Sequence, residues 1–261
     1  MYFSQKVVLI TGASSGIGEA LAYEFAKQNA TVLLCARNER ELQRVKENMA
    51  SPCEYMVCDI TDYPAVDAML EYISKKYGAV DVLVNNAGMS QRGLVYETDF
   101  SVDERIMQLN FLSAVYLTKK VVPSMMTRKT GDIIVISSVS GKFGFWQRSA
   151  YAASKHALQG FFETLQIELR EYNIHTLIVS PGGVQTNISK NALSKDGTPY
   201  GKLDDLQKRG MTPEGLASKI VKAAASHKRQ LLAGKGEVFL HYIKKWCPWL
   251  FFEIAKRVKG R

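Results

Sequence analysis

The stretch Thr11-Gly12-Ala13-Ser14-Ser15-Gly16-Ile17-Gly18 directly follows the apolar run Val7–Thr11 and begins an amphipathic segment. Gly12 allows a tight turn, Gly16 lets the backbone approach a pyrophosphate, and Gly18 lets a helix pack close to a sheet. The helix N-terminus offers unpaired N–H groups and a positive dipole end to phosphates. A plain turn between strand and helix is the alternative, but the flanking pattern favours a dinucleotide site. The residues of this turn assigned to the cofactor are Gly12, Ser14, Ser15, Gly16, Ile17 and Gly18.

Outward from this turn, short apolar runs alternate with longer amphipathic stretches. Strands are predicted over Val7–Thr11, Thr31–Ala36, Glu54–Cys58, Val82–Asn85, Ile133–Ser137, His175–Ser180 and, near the end, Gln230–Ala233. Helices are predicted over Ile17–Gln28, Glu39–Met49, Tyr63–Tyr77, Val102–Thr127 and Tyr151–Tyr172. Another helix begins at Pro213, with Thr212 as its N-cap. This alternation is typical of a parallel sheet covered by helices on both faces, so we expect one α/β domain over residues 1–261.

The composition narrows the function classes. Of the 261 residues, 46% are apolar, which is enough for a substantial core, and no apolar run is long enough to span a membrane. The amino terminus has no signal-peptide pattern, so neither a cleaved segment nor an anchor is expected there. The four cysteines form no CxxC pair and the histidines have no metal-like partners, so no metal site is predicted. A reducing, cytoplasmic setting is expected.

The positive charge is concentrated at the carboxyl end. The net charge is +9, and from Lys235 onward seven Lys or Arg stand against two Glu. With no zinc-finger or aromatic RNA-binding signature, nucleic-acid binding is not expected. The basic, aromatic tail of residues 235–261 has two interpretations. It either packs on the protein, closing a pocket or forming a subunit contact, or lies reversibly on an anionic membrane surface.

A polar stretch, Gln185–Thr212, breaks the alternation of strands and helices. It is rich in Asn, Ser, Lys, Gly and Asp and has no long apolar period. An ordered loop of this length is usually functional, so we expect a substrate lid over about residues 185–212.

The end of the second predicted strand bears on cofactor preference. A site for NAD places Asp or Glu there to hold the ribose hydroxyls, whereas this chain has Ala36 followed by Arg37 and Asn38. No carboxylate repels a 2′-phosphate and a guanidinium can hold one, so NADP(H) is predicted. The alternative is that Arg37 is a solvated residue at the start of a helix.

Asp59 and Ile60 follow the third predicted strand. The Asp59 carboxylate could accept a hydrogen bond from the adenine amino group. It could instead be the N-cap of the next helix, although Thr61 or Asp62 could also fill that position.

The residues with catalytic chemistry lie at or near the carboxyl ends of predicted strands, where open parallel sheets bind ligands. Tyr151 and Lys155 are four residues apart and therefore share one face of a helix. A nearby ammonium stabilises phenolate, which makes tyrosine a better acid–base group near neutral pH. Ser138 ends the fifth strand, Asn110 lies within a predicted helix, and Asn85–Gly88 follows the fourth strand.

As a set, these motifs resemble those of the short-chain dehydrogenase/reductase family. The matching elements, over roughly Val7–Val184, are TGASSGIG, Asp59, NNAG, Asn110, Ser138, YAASK and Pro181-Gly182. The resemblance implies a single Rossmann-like α/β domain with a seven-stranded parallel sheet and helices on both faces. It also implies hydride transfer between a nicotinamide and a carbonyl or alcohol.

The resemblance also implies a role for each site residue. Tyr151 would be the general acid in reduction, and Lys155 would bind the nicotinamide ribose and lower the pKa of the tyrosine. Ser138 would hydrogen-bond the substrate oxygen, and Asn110 would hold a water that completes a proton relay. The other residues of this cofactor pocket would be Asn86, Ala87, Gly88, Pro181, Gly182, Val184 and Thr186, the last reaching the carboxamide.

The last third of the chain carries Gly141-Lys142 after Ser137-Ser138, and then Thr186-Asn187-Ile188-Ser189 and Asp196-Gly197-Thr198-Pro199-Tyr200-Gly201. With these residues it resembles one branch of that family, the dehydrogenase/reductase member seven branch, which implies a lipid-like, steroid or retinoid carbonyl as substrate. A homodimer or homotetramer is expected. In one departure, Ser15 stands where many NADPH-preferring members carry a basic residue, so the preference rests on Arg37 and Asn38. Two other function classes remain open: a catalytically silent nucleotide sensor, and a membrane-surface protein acting through its tail.

Overall fold

Seven parallel strands form the central sheet of the computed structural model, which describes residues 1–257. With two further short strands, β5 and β8, the strands of the described residues are β1 Val7–Thr11, β2 Thr31–Ala36, β3 Cys53–Val57, β4 Val82–Asn85, β5 Gln91–Arg92, β6 Gly131–Ile136, β7 Ile174–Pro181, β8 Leu193–Ser194 and β9 Gln230–Ala233. The sheet order is β3-β2-β1-β4-β6-β7-β9, while β5 and β8 form a separate two-stranded pair. The predicted Rossmann-like α/β fold with a seven-stranded parallel sheet is confirmed.

Helices cover both faces of the sheet. They are α1 Gly16–Ala26, α2 Glu39–Glu47, α3 Tyr63–Tyr77, α4 Phe100–Met107, α5 Ser113–Arg128, α6 Ser149–Glu168, α7 Asp205–Lys208, α8 Pro213–Ala225, α9 Phe239–Trp246 and α10 Pro248–Arg257. Buried side chains of α1, α2 and α8 form one core cluster with the sheet, and those of α3, α5 and α6 form another on the opposite face.

The pattern within β1 shows why its sequence is apolar throughout. Val8 and Ile10 join the core on one face, while Val7 and Leu9 join the core on the other. Alternate residues of a strand point to opposite faces, so a strand covered on both faces needs an unbroken apolar run. Because β1 pairs with β2 on one side and β4 on the other, the strand order reverses beside it. Ligands bind such sheets at this reversal, beyond the carboxyl ends of the strands.

Most predicted bounds are unchanged or shift by one or two residues, but the predicted helix Val102–Thr127 was wrong as one continuous α-helix. The structure has α4, a π-helical segment at Gln108–Leu112, and then α5. The predicted helix Tyr151–Tyr172 begins earlier, at Ser149, and its last turn is replaced by a 3₁₀ turn at Arg170–Tyr172. Neither change alters the apolar face, so the hydrophobic period could not reveal it.

The segment of residues 185–212 contains more regular structure than its composition predicts. It supplies β8, which pairs with β5, and the short helix α7. The predicted N-cap of the following helix is confirmed, since the Thr212 hydroxyl accepts a hydrogen bond from Gly215 N at 3.1 Å. The basic tail forms α9 and α10 within the described residues.

Two observations concern membranes and metals. In residues 1–257, no helix combines the length and apolar character needed to cross a bilayer. Within the same residues, no three His, Cys, Asp or Glu side chains are grouped so as to hold a metal ion.

Candidate active site

The glycine turn between β1 and α1 is shaped by close backbone contacts. Gly12 has a φ of +65°, in the left-handed region that glycine adopts readily. A Cβ on Gly18 would lie 2.3 Å from the carbonyl oxygen of Gly12, so only glycine lets the helix sit this close to the strand. At the N-cap, Ser15 makes no side-chain bond to the first turn within the described chain, so the N-terminal N–H groups face the cleft.

A hydrogen-bonded clamp joins this turn to the loop after β4. The Thr11 hydroxyl accepts hydrogen bonds from Asn86 N at 3.0 Å and Ala87 N at 3.1 Å. In return, the Asn86 side-chain amide donates to the carbonyl oxygen of Thr11 at 2.9 Å. The clamp brings the Asn86–Gly88 loop beside the glycine turn. Across the turn, Thr186 Cγ2 lies 3.0 Å from the position of a Cβ on Gly16.

Arg37 and Asp59 face each other at the end of the cleft beyond β2 and β3. The Arg37 guanidinium lies 3.6 Å from an Asp59 carboxylate oxygen, and the Arg37 side chain is 66% exposed. Asp62, and not Asp59, caps α3, because its carboxylate accepts from Ala65 N at 3.2 Å. Asn38 caps α2 by accepting from Glu41 N. Its side-chain oxygen is therefore engaged in the helix.

The Asp59 carboxylate is also held by Thr61, whose backbone N–H and hydroxyl donate to it at 2.9 and 2.7 Å. Burial raises the pKa of Asp59, but the hydrogen bonds from Thr61 and the charge of Arg37 outweigh burial and lower the pKa below its ordinary value. The group at this end of the cleft is therefore an ionised hydrogen-bond acceptor at neutral pH.

Tyr151 and Lys155 lie on one face of α6 and are both buried. The Lys155 ammonium donates to the carbonyl oxygen of Ile136 at 2.8 Å and lies 5.8 Å from the centre of the Tyr151 ring. Burial lowers the pKa of Lys155 to about 8. The hydrogen bond to Ile136 therefore fixes the Lys155 ammonium beside the end of β6.

The pKa of Tyr151 is raised by burial of its phenol. A hydrogen bond with Ser138 opposes this increase, as do the positive charges of Arg148 and Arg92. From the sequence, Lys155 was the expected source of the lowering effect. In the structure, the lowering effects come instead from Ser138 and from two guanidinium groups that no motif indicated.

Ser138 is placed by the end of β6 and by β7. Its hydroxyl accepts from Ser140 N at 3.1 Å, as the N-cap of a short 3₁₀ turn, and lies 3.5 Å from the carbonyl oxygen of Pro181. Behind it, Gln159 donates to the hydroxyls of Ser137 and Ser180 at 2.9 Å each, which ties α6 to β6 and β7. This buried network fixes the serine opposite the tyrosine.

Asn110 lies inside the π-helical segment and is buried. Its side-chain oxygen accepts from Met89 N at 2.8 Å, and its amide donates to the carbonyl oxygen of Met89 and the hydroxyl of Ser154 at 2.9 and 3.0 Å. A Cβ on Gly88 would lie 3.1 Å from Asn110 Oδ1 and 3.5 Å from Lys155 Nζ. Asn110 is therefore next to the lysine, and such π-turns are frequent at functional sites.

One cleft of about 500 Å³ joins these groups. The sequence-predicted residues that line it are Gly12, Ser14, Ser15, Gly16, Ile17, Arg37, Asn38, Asp59, Ile60, Asn86, Ala87, Gly88, Ser138, Tyr151, Lys155, Pro181, Gly182, Val184 and Thr186. Gly18 and Asn110 are not on this surface: Gly18 packs on the Gly12 backbone, and Asn110 lies behind Gly88.

No motif in the sequence indicated two residues that position Tyr151. Gln91, fully buried in β5, accepts from Tyr151 N at 3.0 Å and donates to the Ser149 hydroxyl at 3.1 Å, which satisfies the first turn of α6. Arg148, at the N-cap of α6, lines the cleft. A polar residue in an otherwise irregular stretch was the only available signal for Gln91, while Arg148 stands three residues before Tyr151.

Comparisons with known proteins agree with this arrangement. The family model described as short chain dehydrogenase matches residues 6–197. The chain is 40% identical to the dehydrogenase/reductase SDR family protein 7-like of Anopheles gambiae over 98% of this chain and 84% of that protein. It is 38% identical to dehydrogenase/reductase SDR family member 7B of Xenopus laevis over 100% of this chain and 84% of that protein.

Two solved structures share the fold. A short-chain dehydrogenase from Streptomyces avermitilis superposes with a TM-score of 0.83 at 30% identity, covering 97% of this chain and 100% of that one. A metagenomic short-chain oxidoreductase in complex with NADP superposes with a TM-score of 0.75 at 26% identity, covering 89% of this chain and 98% of that one. The chain belongs to the short-chain dehydrogenase/reductase family.

Proposed function

We propose that this protein is an NADP(H)-dependent oxidoreductase that interconverts a carbonyl and an alcohol, with Tyr151 as the general acid–base. The observation that carries the proposal is that Ser138, Tyr151 and Lys155 line one cleft, which begins at the glycine turn. A silent nucleotide sensor would not need this set of groups. The direct test is oxidation of NADPH in the presence of a panel of aldehydes and ketones, and a chain inactive on every member would favour the sensor.

The cleft fits a dinucleotide with a 2′-phosphate. The N–H groups at the start of α1 and the absence of Cβ atoms at Gly12 and Gly16 leave room and donors for a pyrophosphate. Arg37 supplies a cation where the ribose would lie, and Asp59 is an ionised acceptor for an adenine amino group. NADP(H), when bound, supplies or accepts the hydride. The solved relative in complex with NADP supports this choice of cofactor.

Each side chain of the site has a separate role in substrate binding, cofactor binding or proton transfer. In reduction, Tyr151 donates a proton to the substrate oxygen while Ser138 hydrogen-bonds that oxygen and fixes its position. Lys155 binds the nicotinamide ribose and stabilises the phenolate left behind. Asn110 holds a water molecule that relays protons between Lys155 and solvent. Thr186 hydrogen-bonds the carboxamide of the nicotinamide.

We expect the main body of the substrate to be bulky and apolar. Apolar side chains that line the same cleft as Tyr151 support this, among them Met89, Phe145, Ile188 and Leu206. The last two belong to the segment of residues 185–212, which we propose acts as a lid that excludes water. Leu193, in the same segment, packs with Val102 and Ile106 in a separate cluster.

Catalytic efficiency is expected to rise along the aldehyde series from butanal to dodecanal. Each buried methylene contributes about 0.8 kcal/mol, or about fourfold in kcat/KM while the cleft continues to bury the chain. Ile188→Ala should flatten this dependence, whereas Leu203→Ala should not, because Leu203 is exposed and outside the cleft. Steady-state kinetics across the series provides the measurement. Higher efficiency on glyceraldehyde than on dodecanal would contradict an apolar substrate.

We also propose that the tail docks reversibly on anionic membranes. The tail has both packed and exposed aromatic side chains: Phe251 is buried and lies 5.4 Å from Phe143 between ring centres, while Trp246 and Trp249 are 74% and 70% exposed. The exposed face also carries Phe239, Tyr242 and Phe252. The side chains of Lys256 and Arg257, expected to face the membrane, lie outside the described residues, as do residues 258–261.

Vesicle flotation tests this docking. Binding is expected on anionic vesicles at low salt and to weaken at high salt, because each cation contributes about 1 kcal/mol within a Debye length of the surface. The triple change Trp246→Ser, Trp249→Ser and Phe252→Ser should reduce binding. The matched change Tyr96→Ser with Phe100→Ser, at exposed aromatics outside the tail, should not. Full-length protein that stays unbound at low salt would leave the tail with a packing role alone.

The remaining proposals concern assembly and location. Family members generally oligomerise, and we propose a homodimer or homotetramer, to be measured by sedimentation equilibrium. Four free cysteines support a reducing, cytoplasmic location.

A further inference from the structure

Two arginines share one carboxylate beside Tyr151. Asp204, from the segment of residues 185–212, accepts from Arg92 Nε at 3.1 Å and from Arg148 Nη2 at 2.8 Å, and forms a further short contact with Arg92 Nη2. The side chains of Arg92, Arg148 and Asp204 are only 5%, 13% and 15% exposed. Because two guanidinium groups share one carboxylate, one positive charge has no counter-ion among the described residues, in a place that is largely shielded from water.

The uncompensated charge belongs to Arg148. Arg92 is engaged through all three of its nitrogens, since Nη1 also donates to the Ser90 hydroxyl at 2.8 Å and to the carbonyl oxygen of Gln91. Arg148 makes one side-chain hydrogen bond in the described part of the chain, through Nη2, and it lines the cleft, whereas Arg92 does not. Its guanidinium lies 5.4 Å from the centre of the Phe145 ring, an apolar wall of the same cleft.

The rest of the cleft offers this charge no partner. Asp59 is the one carboxylate among the described residues that line the cleft, and it is paired with Arg37 at the opposite, nucleotide end. Burial and the charge of Arg92 lower the pKa of Arg148, against the opposing effect of Asp204. A buried guanidinium whose N–H groups lack acceptors destabilises the folded protein unless an anion binds to it.

We propose that Arg148 binds a carboxylate carried by the substrate, which makes the preferred substrate an amphiphilic oxo-acid: a carbonyl at Tyr151, an apolar body, and a carboxylate at Arg148. The proposal rests on the proposed reductase function. A monoanion matches the single excess charge, whereas a dianionic phosphate would leave a negative charge in the same buried place. The planar guanidinium offers the donor geometry that a carboxylate accepts.

The position of Arg148 on the fold supports a role in specificity. It is the N-cap residue of α6, three residues before Tyr151, so the same helix places the proton donor and the anion site. Asp204 joins them to the segment of residues 185–212. Removing Arg148 leaves Arg92 and Asp204 as a neutral pair, so its substitution does not strand a buried carboxylate.

The kinetic test compares ω-oxo acids of increasing length with their methyl esters, using NADPH and the full-length protein. The wild type is expected to favour the acid in kcat/KM by about 10- to 100-fold, as for an ionised hydrogen bond. Arg148→Gln should abolish this ratio, and Arg148→Lys should retain part of it. The ratio is the readout because the charge of Arg148 also acts on Tyr151 and so affects both substrates. Arg209→Gln, at an exposed arginine outside the cleft, is the matched control and should keep the wild-type ratio.

A binding experiment tests the anion site independently of the proposed reductase function. Octanoate and octanamide are titrated calorimetrically into the NADP⁺-loaded protein, where no turnover is needed. Octanoate should bind about 10- to 100-fold more tightly than octanamide, and Arg148→Gln should remove the difference. If no carbonyl is reduced but octanoate still prefers Arg148, the reductase function fails and the anion site stands. Equal binding of the two ligands, or an acid preference that survives in Arg148→Gln, overturns the anion site and leaves Arg148 as a contact that holds Asp204.

Discussion

Replacement of Tyr151 by Phe is expected to lower turnover by at least about 10²-fold while leaving the affinity for NADPH nearly unchanged. The change removes one oxygen and keeps the buried ring, so packing in α6 is preserved. Ser138, which loses its contact with the phenol, keeps its hydrogen bond from Ser140 N. The loss should therefore appear in the proton-transfer step. Single-turnover reduction of a saturating aldehyde, together with NADPH titration by fluorescence, measures the two effects separately.

Tyr72→Phe provides the matched control. Its hydroxyl donates to Glu54 on the exposed side of α3 and is far from the cleft lining, so turnover should stay at the wild-type level. Near-normal turnover in Tyr151→Phe would remove the tyrosine from the mechanism. A loss of NADPH affinity equal to the loss of turnover would instead give it a role in cofactor binding.

The sheet and the glycine turn at one end of the cleft could be predicted from the sequence because their signals are local. In β1, the unbroken apolar run reports burial on both faces, and the glycine spacing that follows reports a close approach of α1 to the strand. Tyr151 and Lys155 carry their geometry in a spacing of four residues. In each case a few neighbouring residues determine the feature.

The cluster formed by Arg92, Arg148 and Asp204 has no such local signal. Arg92 and Asp204 are 112 residues apart and meet because β5 and the segment of residues 185–212 come together beside α6. The π-helical turn around Asn110 was also missed, because one inserted residue does not change the apolar period enough to be seen. Pairings across the fold, and local departures from helical geometry, depend on packing that a single sequence does not display.

Cofactor preference is expected to reverse when Ala36→Asp and Arg37→Ile are combined. The wild type should bind NADPH more tightly than NADH by about 10- to 100-fold, since an ionised contact to phosphate contributes about 1.5–3 kcal/mol. The existing pair between Arg37 and Asp59 does not compete strongly, because it is exposed and its atoms are 3.6 Å apart. In the double variant, the new carboxylate repels a 2′-phosphate and accepts hydrogen bonds from the ribose hydroxyls of NADH.

The single variants divide this effect into its two parts. Arg37→Ile alone should lower the affinity for NADPH without raising the affinity for NADH, because no hydrogen-bond acceptor for the ribose has been added. Arg40→Ile removes the same charge from an exposed position three residues along, outside the cleft lining, and should leave both affinities unchanged. If Arg40→Ile lowered the affinity for NADPH as much as Arg37→Ile does, the cofactor preference would come from the overall positive potential of this surface and not from a direct contact. Equal affinities for the two cofactors in the wild type would make Arg37 a surface residue paired with Asp59, and the preference would then have to arise elsewhere in the cleft.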